Sequence, residues 1–110
     1  MAQFAVFIYA PAPADWESAP AEELEAHDRF AKQTEELGGQ YVHAFALHPA
    51  TTAKSVRRDA VVTDGPFVDS EQVVGGFGVL EARDMDHALE ILKHSPATWR
   101  GGVEVRPLLG

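Results

Sequence analysis

The sequence predicts an α+β fold in which two helices cover one face of an antiparallel sheet, and three features carry that prediction. Short runs rich in aromatic and β-branched residues alternate with two longer stretches of helical period. Their order is strand, helix, strand, a short irregular insert, then strand, helix, strand. The length of 110 residues is that of a single domain, spanning 1–110, with a thin core for its surface.

Residues 3–10 (QFAVFIYA) form the first predicted strand, ended by Pro11 and Pro13. Ser18, Ala19 and Pro20 supply a capping side chain and a proline for the start of a helix, and Glu22, Glu23 and Glu25 place negative charge at its positive end. This helix runs to Leu37, where Gly38 and Gly39 stop it. Its expected inward stripe is Leu24, His27, Ala31, Thr34 and Leu37, with Phe30 beside it. Residues 41–47 (YVHAFAL) are the second strand, 49–53 a turn, and 54–63 a small hairpin or irregular edge strand. Residues 76–82 (GFGVLEA) are the next strand. Asp84 caps a second helix with Met85, Ala88, Leu89 and Leu92 on its buried face, and Ser95-Pro96 ends it. Residues 103–109 (VEVRPLL) close the chain as a strand with Val103, Val105 and Pro107 on one side and Glu104 and Arg106 on the other. This order is the ferredoxin-like βαββαβ arrangement with a small hairpin insert. Two helices cover one sheet face only, so the other is expected to pair in a homodimer.

Nine Lys+Arg against 17 Asp+Glu give a formal charge of -8, which disfavours direct contact with nucleic acid or an anionic membrane. Without cysteine there is no disulfide framework, thiolate nucleophile or cysteine-based metal site, and a reducing cytoplasm fits. The start Met1-Ala2-Gln3-Phe4 has no basic n-region, and no apolar run reaches the roughly 20 residues of a membrane span, so a soluble, unprocessed protein is expected. No metal or organic cofactor is expected either. No convergent His/carboxylate set stands out, and Gly75, Gly76 and Gly78 lead into a strand rather than the N-terminus of a phosphate-binding helix.

His27 is the leading candidate for chemistry. An imidazole titrates near neutrality, so in a pocket it can take up and return a proton; it can equally be a core ring bonded to a backbone carbonyl. His43, His48, His87 and His94 read as structural or solvated. The second candidate is the tetrapeptide Asp64-Gly65-Pro66-Phe67 between two apolar runs. Asp64 can cap the turn, Gly65 adopt positive φ, Pro66 fix φ and Phe67 plug the core. Alternatively the rigid loop holds the Asp64 carboxylate at a pocket rim within reach of His27, with Phe67 lining that pocket.

The segment VTDGPFVDSEQVVGGFGVLEARDMDHALEILKHSPATWRGGVEVRPL resembles the DGPF-domain branch of the YCII-related family. The resemblance rests on the tetrapeptide, the Gly75-Gly76-Phe77 strand start, the acidic cap of the second helix and the Gly102-to-Pro107 ending, and extends more loosely over the first half. It implies a dimeric α/β barrel with a pocket between helices and sheet, and a first-helix His at the place of His27. In such relatives an Asp before a Pro, after the second helix, forms a His-Asp dyad; Ser95, before Pro96, stands there, in the implied ligand pocket. Some relatives remove chloride from chlorinated aromatic acids, and others are associated with alternative sigma factors. Two function classes follow. One is a cofactor-free acid/base enzyme, lyase-like or hydrolase-like, acting on a small organic acid through His27 with Asp64. The other is a non-catalytic ligand-binding or sigma-factor-associated accessory module.

Overall fold

Phe4 and Val6 alternate with outward residues along the first strand, and this period of two fixes which face of the sheet is buried. A computed structural model describes residues 1–110. The elements are β1 (Ala2–Pro11), α1 (Ala21–Glu36), β2 (Gln40–Ala46), β3 (Lys54–Val56), β4 (Val62–Asp64), β5 (Gln72–Ala82), α2 (Met85–Leu92) and β6 (Gly102–Pro107). The four long strands form an antiparallel sheet in the order β2-β5-β1-β6, the ferredoxin-like order, and β3 pairs with β4 in a separate ribbon. The short insert is thus a hairpin outside the main sheet. No helix is long and apolar enough to cross a membrane.

The core joins Phe4, Val6, Leu80 and Ala82 of the sheet to Phe30 of α1 and Ala88, Ile91 and Leu92 of α2, with Tyr41, Met85, Val103 and Val105 packed at its edge. Register places Phe7, Phe77 and Phe45 side by side on the opposite face, across β1, β5 and β2. Phe45 and Phe77 are 54% and 42% exposed, and their ring centroids are 5.5 Å apart. The molecule is only 19 Å thick along its shortest axis, the depth of one sheet and one helical layer.

Several local expectations are corrected. The buried stripe of α1 is Glu23, Ala26, Phe30 and Thr34, while Leu24, Ala31 and Leu37 are exposed and His27 is half-buried. On α2 the buried face is His87, Ala88, Ile91 and Leu92, with Leu89 outside. Ser18 does not cap α1; it ends a short 3-10 turn, Trp16–Ser18, and donates to its capping residue Asp15 at 2.9 Å. Gly38 does terminate α1 with φ of 87°, and Asp84 does cap α2, accepting from the His87 backbone N–H at 2.8 Å.

Candidate functional site

A cavity of about 380 Å³ lies between α1 and the β2–β5 half of the sheet. Its floor consists of small residues, Ala44 and Ala46 on β2 and Gly76 and Gly78 on β5, paired Ala44 with Gly78 and Ala46 with Gly76. A Cβ on Gly78 would stand 2.6 Å from the His43 carbonyl oxygen, and one on Gly76 2.8 Å from that of Phe45. Glycine there permits the close strand approach and leaves the space above empty of side chain.

The walls are largely aromatic. β5 carries an extra residue opposite the Ile8/Tyr9 step of β1, and at this bulge the Gly75 carbonyl accepts the Trp16 indole N–H at 2.8 Å. A Cβ on Gly75 would touch that indole at 3.3 Å. Trp16, so held, meets the His27 ring edge to face with centroids 5.4 Å apart. Phe30 and Tyr41 also line the cavity. Burial pushes the Tyr41 hydroxyl up to about 12, so it stays a neutral phenol.

His27 lines this cavity, and its Nε2 is buried with no hydrogen-bond partner in the chain. A buried polar nitrogen without a partner costs about 1–3 kcal/mol, which sets it apart from the satisfied groups around it. Burial lowers the His27 pKa below the usual histidine value, opposed by the nearby carboxylates of Glu23 and Asp28, so the ring is mainly neutral at pH 7. Asp28 lines the cavity, and no Lys or Arg does. Glu23, buried on α1, accepts from Arg100 Nη2 at 2.8 Å and Nε at 3.2 Å.

The structure brings His27 and Ser95 to this one cavity and places Asp64 and Phe67 outside it. Ser95 is buried, and its hydroxyl accepts the Ala97 N–H at 3.2 Å, starting the 3-10 turn Pro96–Trp99. Asp64, with its side chain 86% exposed, is paired with Lys54 across the β3–β4 ribbon, so within the chain it is not the partner of His27. Phe67 is 61% exposed and plugs no core. It borders a separate groove with Pro66 and Tyr9, and the Arg57 guanidinium lies 4.8 Å from its ring centroid. The tetrapeptide is a braced turn. Gly65, with φ of 92°, donates to Ala53 O at 2.8 Å; its own carbonyl accepts the Ser55 hydroxyl, and Arg57 Nη2 donates to Phe67 O at 2.9 Å.

Sequence reasoning missed Trp16, Tyr41, Asp28 and the Glu23–Arg100 pair. The alternation of small residues, Ala44 with Ala46 and Gly76 with Gly78, was the available signal for a floor. No three His, Asp or Glu side chains gather in a metal-holding group.

The chain is 30% identical over 97 residues to the uncharacterized protein R00369 of Rhizobium meliloti (strain 1021), covering 76% of this chain and 77% of that protein. The model of the YCII-related domain matches residues 5–109. With nearly its whole length matched, the chain belongs to the YCII-related family.

Proposed function

We propose that the cavity binds a small, uncharged, largely apolar ring compound and that His27 exchanges a proton with it. The observation that carries this reading is His27, which lines a cavity walled by aromatic rings and whose buried Nε2 has no partner in the chain. A neutral imidazole accepts a proton from a bound hydroxyl and can return it, which is the elementary act of acid/base catalysis. An ionised organic acid suits the cavity less well than the sequence suggests, because no Lys or Arg lines it and Asp28 does.

Phenol and benzoate, titrated separately at pH 7 by calorimetry, test the reading: one ring carries a neutral hydroxyl, the other an ionised carboxylate. Phenol is expected to bind the more tightly, and His27→Ala to weaken phenol about 3- to 10-fold, the value of one hydrogen bond. Tighter benzoate binding, or phenol binding unchanged in His27→Ala, overturns it. Once a substrate is found, loss of the imidazole should slow turnover about 10²- to 10⁴-fold.

The working unit in this reading is a homodimer joined through the outer sheet face. Support comes from the adjacent Phe45 and Phe77 rings and from a thickness of 19 Å that leaves that face without a covering layer.

A further inference from the structure

Glu23 is the acidic member of the buried stripe of α1, among Ala26, Phe30 and Thr34. Its side chain is 8% exposed. Burying a carboxylate costs several kcal/mol unless a partner offsets the loss of water, and an apolar side chain at the same place would carry no such cost. The partner is Arg100, whose Nε and Nη2 both donate to Oε2. Arg100 follows the Pro96–Trp99 turn, so the pair pins that turn to the first turn of α1. A tie of this kind explains a bond between elements without explaining its position. Glu23 lies four residues before His27, the helical spacing that puts Cβ atoms roughly 5–6 Å apart on one face. The other titratable or polar side chains lining the cavity are Asp28 on α1, Tyr41 on β2, Ser95 after α2 and Trp16, whose indole N–H is spent on the Gly75 carbonyl. Ser95 carries no charge and its oxygen is engaged by Ala97 N–H; Tyr41 is a neutral phenol.

We infer that Glu23, clamped by Arg100, is the positioning carboxylate that stabilises the imidazolium formed when His27 takes a proton, so that α1 itself supplies the acid partner of the ring. The inference rests on the proton-exchange reading of His27. When the ligand hydroxyl gives its proton to Nε2, the ligand oxygen keeps the electron pair and the ring becomes cationic. The negative charge of Glu23 then lowers the energy of that state, while Arg100, bonded to the same carboxylate, holds it in place and offsets part of its charge. Asp28 adds a more exposed charge of the same sign.

The test is a histidine NMR titration of the whole chain without ligand, the His27 signal being the one absent from His27→Gln. In Glu23→Gln the ring should bind its proton about three- to tenfold more weakly than in wild type, as expected for loss of a partly desolvated neighbouring charge. Glu25→Gln, which removes the same formal charge from the exposed side of α1, should leave it unchanged. Arg100→Gln should strengthen proton binding, because Glu23 is then no longer offset; should Glu23→Gln fail to fold, this variant decides alone. A purely mechanical tie lowers the melting temperature of these variants without shifts of opposite sign, and that result overturns the inference. The titration needs no ligand. A shifted midpoint together with unchanged phenol binding in His27→Ala therefore supports the charge coupling while overturning the proton-exchange reading.

Discussion

His87 and Leu37 are joined by a single hydrogen bond, His87 Nε2 to the Leu37 carbonyl at 2.8 Å, which ties α2 to the C-terminal end of α1. The other ring nitrogen, Nδ1, accepts the Arg83 backbone N–H at 3.0 Å, so Nε2 carries the hydrogen and the neutral tautomer is set by its surroundings. Both nitrogens of this buried ring are spent on backbone. His27 is the opposite case, with a buried nitrogen that the chain leaves free. Satisfaction of the ring, more than its burial, separates the structural histidine from the candidate reactive one.

Replacing His87 by leucine keeps most of the volume but strands the Leu37 carbonyl and the Arg83 N–H. His87→Leu should therefore cost about 2–4 kcal/mol, from two unpaired backbone groups. Urea unfolding measures it directly. A variant with the wild-type midpoint would show that water replaces the ring without penalty.

Asp64 offers a contrasting, nearly silent substitution. Its carboxylate meets Lys54 in an exposed cross-strand pair, a kind worth about 0–1 kcal/mol. Asp64→Asn should change stability by no more than that and leave phenol binding at the wild-type level. Arg57→Ala should loosen the same loop more, since Arg57 holds Thr63 Oγ1 at 2.9 Å, the Phe67 carbonyl and the Phe67 ring. Weaker ligand binding in Asp64→Asn would return this carboxylate to the site.

The strand and helix order was legible because it depends on local pattern: β-branched runs, the Asp84 cap and Gly38 each act within a few residues. The phase of α1 was not. The row that hydropathy favours, Leu24, His27, Ala31, Thr34 and Leu37, shares only Thr34 with the buried stripe Glu23, Ala26, Phe30 and Thr34, and its Leu24, His27 and Ala31 line the cavity instead. What decides is tertiary: Arg100, 77 residues away, pairs with Glu23, and Thr34 satisfies its hydroxyl on the Phe30 carbonyl at 2.9 Å. His27 could be picked out by residue type, but its neighbours Trp16 and Tyr41 converge only through the Gly75 bulge and the β2–β5 pairing.

The proposed dimer makes a mass prediction. Wild-type protein at micromolar concentration should scatter light as twice the 12.0 kDa chain. Phe77→Asp together with Phe45→Asp places two carboxylates on an apolar face and should give the single-chain mass, since unpaired charges at the centre of an interface cost several kcal/mol each. A wild-type monomer contradicts the proposal, and so does a double variant that remains dimeric.

The pH dependence of stability follows from the direction of the His27 shift. Burial disfavours the charged ring in the folded chain, with Glu23 and Asp28 opposing it, so the folded pKa lies below the ordinary 6.5. Between the folded pKa and 6.5 the unfolded chain binds more protons at this residue than the folded one. Stability therefore rises with pH across that window, and the contribution is lost as pH falls through it. Above 6.5 the ring is neutral in both states and contributes no slope. Urea midpoints of wild type should decline on acidification from pH 7 more steeply than those of His27→Gln, which has nothing to titrate at that position. Subtracting the two curves removes every other titrating group the proteins share. A difference that stays flat would mean that the Glu23 and Asp28 charges cancel the effect of burial, and one that grows in favour of wild type as pH falls would mean that they outweigh it; either contradicts the lowered folded pKa.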